Sequence, residues 1–179
     1  MQKFSFMRLP LMMPFDPEAF MNDTIDKPLE TDRKMVPPGE YKMMIDDFEA
    51  AKAIENIEFE YKKGDRAGQP GNMYTFNCPC VIQDNETVKQ ELGLDKVIVY
   101  KRMILDLDPT TFKLLWGPNK NTDLGQLRKA VGQNDEGPWS VAKLRGAGPF
   151  MGRVDSKTGK RKDGTTFESR EVGRVAPIR

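Results

Sequence analysis

Lys96-Val-Ile-Val-Tyr-Lys-Arg-Met-Ile-Leu105 is the stretch on which the fold turns. Its β-branched and aromatic residues specify a strand, apolar on both faces at its ends, with Lys101 and Arg102 interrupting the middle. A charge inside an apolar strand must reach solvent or find a partner, because leaving it buried and unpaired is costly. Arg102 is therefore the residue least easily explained as filler, and a groove on one face of a sheet would give it both.

Upstream, the turn Val36-Pro-Pro-Gly39 precedes residues 40–48, where Tyr41, Met43 and Ile45 alternate with Lys42, Met44 and Asp46 as in a half-buried strand. Residues 49–61 extend that strand or form a short helix, and the sequence leaves both open. A basic, turn-rich loop over 62–72 leads to a strand over 73–82, with Tyr74, Phe76, Cys78, Cys80 and Ile82 on one face. Pro79 has no N–H and belongs at an edge or a bulge. Downstream, Asp108-Pro109 reads as the N-cap and first-turn proline of a short helix that carries Phe112, Leu115 and Trp116 and closes at Gly117-Pro118. Thr122 caps a second helix, with Leu124, Leu127 and Val131 on one side and Gly132 at its end. Residues 139–145 read as a strand, and 150–155 with 166–175 as a long hairpin whose tip spans 156–165.

Three strands, a helical connection and then strands to the end describe a mainly β domain. The expected architecture is an OB-fold-like five-stranded barrel over 36–179, with a helical connection between strands 3 and 4 and a long C-terminal hairpin. Residues 1–35 are rich in Met, Pro and Asp without sustained periodicity. They read as an extended N-terminal arm that docks on a protein partner or a second copy through Phe4, Phe6, Met12, Met13 and Phe15, or as a disordered tail.

Composition narrows the chemistry. The 179 residues include two cysteines and no histidine. Histidine-based nucleophile sites, histidine-ligated zinc and four-thiolate zinc are all excluded. No stretch approaches the ~20 apolar residues of a membrane helix. The Met1–Phe15 segment is broken by Arg8, Pro10 and Pro14 and lacks a small-residue cleavage site, so no export and a cytoplasmic location are expected. The net charge of +1 hides an uneven distribution: −6 over residues 1–60, +1 over 61–139 and +6 over 140–179. A local basic segment attracts polyanions whatever the net charge, although on charge alone a solvated hairpin tip is the favoured reading.

No catalytic motif emerges. Asp106-Leu-Asp108 resembles half of a magnesium site, but Asp108 already has a capping role. Cys78-Pro-Cys80 has neither redox nor zinc spacing and reads as two buried thiols. Gly146-Ala-Gly-Pro-Phe-Met-Gly152 lacks the spacing and the following helix of a dinucleotide site, and no phosphate loop is present. No enzyme activity, no metal and no cofactor are expected.

What remains is a mixture of aromatic and basic residues on strands and loops. Unpaired bases stack on flat side chains while cations track the phosphates. The candidate stacking residues are Tyr74, Tyr100 and Phe167. The candidate phosphate contacts are Lys62, Lys63, Arg66, Lys101, Arg102, Arg153, Lys157, Lys160, Arg161, Lys162, Arg170 and Arg174.

Val36-Pro-Pro-Gly-Glu-Tyr-Lys42 resembles the start of the first strand in small phage-encoded single-stranded DNA-binding proteins. Leu124-Gly-Gln-Leu-Arg-Lys-Ala-Val-Gly132 is similar to the helix before their C-terminal hairpin. Arg153-Val-Asp155, a basic turn and Glu171-Val-Gly-Arg-Val-Ala-Pro177 are similar to that hairpin. The resemblance covers about residues 36–177. It implies an OB-fold, sequence-tolerant binding of single-stranded DNA, and a role in phage DNA replication or recombination. Many such proteins end in an acidic tail, whereas this chain ends at Arg179 and carries its acidic excess near the N-terminus. A virion or assembly protein whose arm makes subunit contacts is the alternative.

Overall fold

A computed structural model describes residues 16–22, 24, 34–161 and 163–178. The chain divides into two units, Met1–Arg33 and Lys34–Arg179. In the first, the short helix α1 (Pro17–Met21) starts at Asp16, whose carboxylate accepts from the N–H groups of Glu18 and Ala19 at 3.0 and 3.3 Å. The arm contacts expected of Phe4, Phe6, Met12, Met13 and Phe15 lie outside the described residues.

The second unit is mainly β. Its strands are β1 (Gly39–Ile45), β2 (Ile54–Glu60), β3 (Pro70–Ile82), β4 (Ile98–Leu105), β5 (Phe150–Lys160) and β6 (Thr166–Pro177). They form one six-stranded sheet in the order β1-β5-β6-β4-β3-β2, and β1 also pairs with β3, which curls the sheet into a partly closed ring with β2 outside it. Every pairing is antiparallel except β4 with β6. The sixth strand comes from 49–61, which contains both of the structures the sequence left open. The alanine-rich start forms α2 (Ala50–Ala53), and the alternation of Ile57 and Phe59 with Glu58 and Glu60 then forms β2.

β3 is long enough to serve two neighbours on one side. It pairs with β2 from Pro70 to Phe76 and with β1 from Cys80 to Ile82. Pro79 falls in the gap between them, where the missing N–H has no strand to meet, and its carbonyl accepts from the Asp46 N–H at 2.9 Å.

Two expected elements are absent. Residues 109–116 do not form a helix. Leu107 bridges Leu114, Phe112 adopts φ 55°, and Asp108 caps a tight turn by accepting from the N–H groups of Thr110 and Thr111. Those bonds hold the Asp108 carboxyl below the usual carboxylate range. The Asn121 side chain accepts from the Asp106 N–H and donates to the carbonyls of Asp106 and Leu115. The Leu115 N–H, which a helix would have directed to Thr111, donates instead to the Asp106 carbonyl at 2.9 Å. Residues 139–145 form a 3-10 turn (Val141–Leu144) instead of a strand and bury Leu144. An additional helix, α3 (Glu86–Leu92), lies between β3 and β4, capped by the Asn85 side chain on the Val88 N–H and ended by Gly93 at φ 65°. The helix α4 (Thr122–Ala130) follows β4 as expected and buries Leu124 and Leu127.

The ring interior is filled by Met43, Ile45, Phe76, Cys78, Cys80, Ile82, Val99, Met103, Phe150 and Val154. The side-chain hydrogen bond with Cys80, followed by burial, pushes the Cys78 thiol above its ordinary range. Both cysteines are fully buried and serve as core filling. Lys101 also points inward, only 3% exposed, and its Nζ donates to the Gly173 carbonyl on β6 at 2.6 Å. β4 and β6 share one bridged pair, Tyr100 with Glu171, so this lysine supports the seam that closes the ring. Lys101→Ala leaves a cavity and an orphaned carbonyl, and should lower the unfolding free energy by about 2–4 kcal/mol in urea titration. Lys101→Met, which restores the packing, should lose less. An unchanged midpoint for the alanine variant would show that the seam does not depend on this residue.

Candidate functional site

Alternation along β4 sorts its residues by face. Val99, Lys101, Met103 and Leu105 are buried, whereas Ile98, Tyr100, Arg102 and Ile104 are exposed. Residues directly opposite in an antiparallel pair share a face. The outer row of β4 therefore continues across β3 through the pairs Ile98–Val81, Tyr100–Pro79, Arg102–Asn77 and Ile104–Thr75. It reaches β2 through Thr75–Glu55, Met73–Ile57 and Gly71–Phe59. On the other side Tyr100 bridges Glu171, whose outward neighbours on β6 are Ser169 and Phe167. Tyr100 and Ile104 are 50% and 58% exposed, a large apolar area for the solvent side of a sheet. Arg102 between them has no carboxylate partner among the described residues. Thr75 in this row is buried, and its hydroxyl has no hydrogen-bond partner among the described residues.

Two hairpins flank the row. Between β2 and β3, the ring of Phe59 lies against Gly71, where a Cβ would meet it at 2.7 Å. Tyr61 packs edge-on to Phe59 at 4.9 Å, and the Arg66 guanidinium covers the Tyr61 ring at 4.2 Å. Lys62 and Lys63 are exposed in the same loop. Between β5 and β6, the Phe167 ring crosses Gly159, and Arg161 sits over that ring at 5.5 Å. Each hairpin thus presents an aromatic ring packed on a glycine with an arginine over an aromatic face.

The other proposed residues separate from this group. Tyr74 shares the inward face with Phe76, pairs with Leu105 and is half-buried, with the Phe112 ring edge-on at 5.9 Å. It is not on the face of Tyr100, because a tyrosine two residues from a core phenylalanine on one strand must share its side. The buried Lys101 does not present its ammonium to solvent. Arg170 is half-buried: its Nε donates to the Val36 carbonyl at 2.8 Å, and its Nη1 reaches Ser156 and pairs with Glu168 at 2.8 Å. Arg153 pairs with Asp155 on β5, and β6 separates that strand from β4. Lys157 is exposed but paired with Glu171 at 2.6 Å. Lys160 and Arg174 are exposed and unpaired among the described residues, and Lys162 lies outside them.

Phe59, Tyr61, Ile98, Ile104 and Asn77 join the outer face without having been singled out in the sequence. The available signal was the alternation Ile57, Phe59, Tyr61, which the neighbouring alanines masked.

Asp106 and Asp108 are occupied by Asn121 and the 110–111 turn, and among the described residues no group of three or more Cys, Asp or Glu could hold a metal ion. No described helix is long and apolar enough to cross a membrane. No family model matches the chain, and no curated protein or solved structure matches it either.

The hydrogen bond from Ser156 and the Arg170 guanidinium hold the Glu168 carboxyl below the usual glutamate range. A depressed folded value means that the contribution to stability is complete above the ordinary glutamate value and is lost as pH falls through the depressed one. In an NMR titration Glu168 should turn over below the ordinary glutamate value, and Arg170→Gln should raise the midpoint. An ordinary midpoint in the unaltered protein would mean that the Ser156–Glu168–Arg170 cluster does not persist in solution.

Proposed function

We propose that this chain is a non-catalytic, sequence-tolerant single-stranded DNA-binding protein built on an OB-fold. The ring order β1-β3-β4-β6-β5, the parallel β4–β6 contact and the placement of α4 after the third ring strand support that fold. In such barrels the second and third strands, flanked by the first-to-second and fourth-to-fifth loops, face the oligonucleotide. Here those strands are β3 and β4, and those loops are the segment carrying Phe59, Tyr61 and Arg66 and the tip carrying Lys160 and Arg161. The observation that carries the reading is the exposed row Ile98, Tyr100, Arg102 and Ile104. It offers a flat ring, apolar surface and a guanidinium without a carboxylate partner among the described residues, on the solvent side of a sheet. Bases stack on the ring and phosphates meet the guanidinium and the loop cations. A role in phage DNA replication or recombination belongs to the same proposal and rests on the sequence resemblance.

Binding of a labelled single-stranded oligonucleotide at several salt concentrations tests it. Micromolar or tighter affinity that weakens with salt is expected. Tyr100→Ala should weaken binding about 5- to 150-fold, the equivalent of ~1–3 kcal/mol of stacking, with little change in salt slope. Lys160→Ala should lower the slope by about 0.7. No binding at low salt would reject the reading.

A further inference from the structure

In the gap along β3 between β2 and β1, residues 46–53 leave the sheet, and a cavity of about 320 Å³ opens beside Tyr100. Its apolar surface comes from Phe48, Pro79, Ile98 and Tyr100, and Phe48 is fixed from behind by Phe76 at 5.2 Å. Its polar groups are Asn77, Lys52 and the carboxylates Asp46, Asp47 and Glu49. Each carboxylate has a cation beside it: Lys96 at 2.6 Å from Asp46, Arg145 at 3.6 Å from Asp47 and Lys52 at 3.0 Å from Glu49. The local charge is thus balanced and does not repel a passing phosphate strand, while the carboxylates keep lone pairs free.

We propose that this cavity reads one nucleobase of the bound strand and favours bases that carry an exocyclic amino group over thymine. The proposal rests on the single-stranded DNA reading and adds a base preference to it. The aromatic walls suit a flat heterocycle, and the volume lies at the small end of ligand pockets, the scale of one base rather than several. An ionised carboxylate only accepts hydrogen bonds. The amino group of cytosine or adenine, or the adjacent N–H and amino groups of guanine, donates to it. Thymine offers the carboxylate only its N3–H, flanked by two carbonyls whose lone pairs face the carboxylate oxygens and weaken that bond. Asp47 is exposed, and its Oδ1 takes both the Phe48 N–H at 2.9 Å and the Arg145 guanidinium at 3.6 Å, which leaves Oδ2 as the open acceptor.

The test compares oligo-dT with oligo-dC of equal length, at one salt concentration and at mildly alkaline pH, where cytosine N3 is unprotonated. Fluorescence anisotropy reads the affinity of the unaltered protein and of Asp47→Asn. Oligo-dC should bind at least about fivefold more tightly than oligo-dT, and Asp47→Asn should shrink that ratio. Equal affinities in the unaltered protein, with binding intact, would overturn the base preference and leave the DNA-binding reading standing. A ratio unchanged in Asp47→Asn would overturn the role of the cavity. No binding to either oligonucleotide would overturn the DNA-binding reading itself.

Discussion

The ammonium of Lys101 on the Gly173 carbonyl holds the ring together where its pairing is thinnest. β4 and β6 meet through a single parallel bridge, and Lys101 crosses the same seam from inside. Burying an ammonium is costly, and one carbonyl at 2.6 Å offsets only part of that cost. The arrangement persists because β4 is also held on its other side, by an unbroken antiparallel register with β3 from Tyr74–Leu105 to Val81–Ile98. Strand alternation then leaves no freedom: with Lys101 inside, Tyr100 and Arg102 face outward. A slip of one residue would bury both and expose Lys101 with Met103. The outer face is therefore a consequence of how the ring is closed.

Strands with strict alternation were legible in the sequence, and so was α4. The direction of the charged pair in β4 was not. Lys101 and Arg102 are adjacent, both cationic, and flanked by apolar residues on either side. What decides between them is the carbonyl at Gly173, 72 residues away. Arg170 is a similar case, drawn from the expected phosphate contacts by the Val36 carbonyl 134 residues earlier. The helix expected at 109–116 had a sound start signal, and Asp108 does cap the N–H groups of Thr110 and Thr111. Asn121 then fastens Asp106 and Leu115, and the chain turns back instead of coiling. Local signals survived in each case, and a distant partner chose what they served. Tyr74 differs, since its shared face with Phe76 was readable from spacing alone.

The structure also redistributes the charge. Of the basic residues in the C-terminal quarter, Arg145, Arg153, Lys157 and Arg170 already have carboxylate partners. The cations left for an outside anion are fewer and are spread over two hairpins and the middle of β4. Exposed ion pairs contribute little to stability, so Arg153 and Lys157 remain exchangeable, whereas the half-buried Arg170 does not. A ligand on this face would thus gain from stacking and apolar contact at the centre and from screened charge at the edges.

The most direct measurement of where a strand lies is the backbone amide NMR spectrum of the protein, recorded with and without a single-stranded oligonucleotide. Shifts confined to β4 residues 98–104, the facing stretch of β3, and the 59–71 and 157–167 hairpins are the expected result. Shifts centred on the opposite side of the ring, at β1 residues 40–44 and β5 residues 151–153, would contradict it.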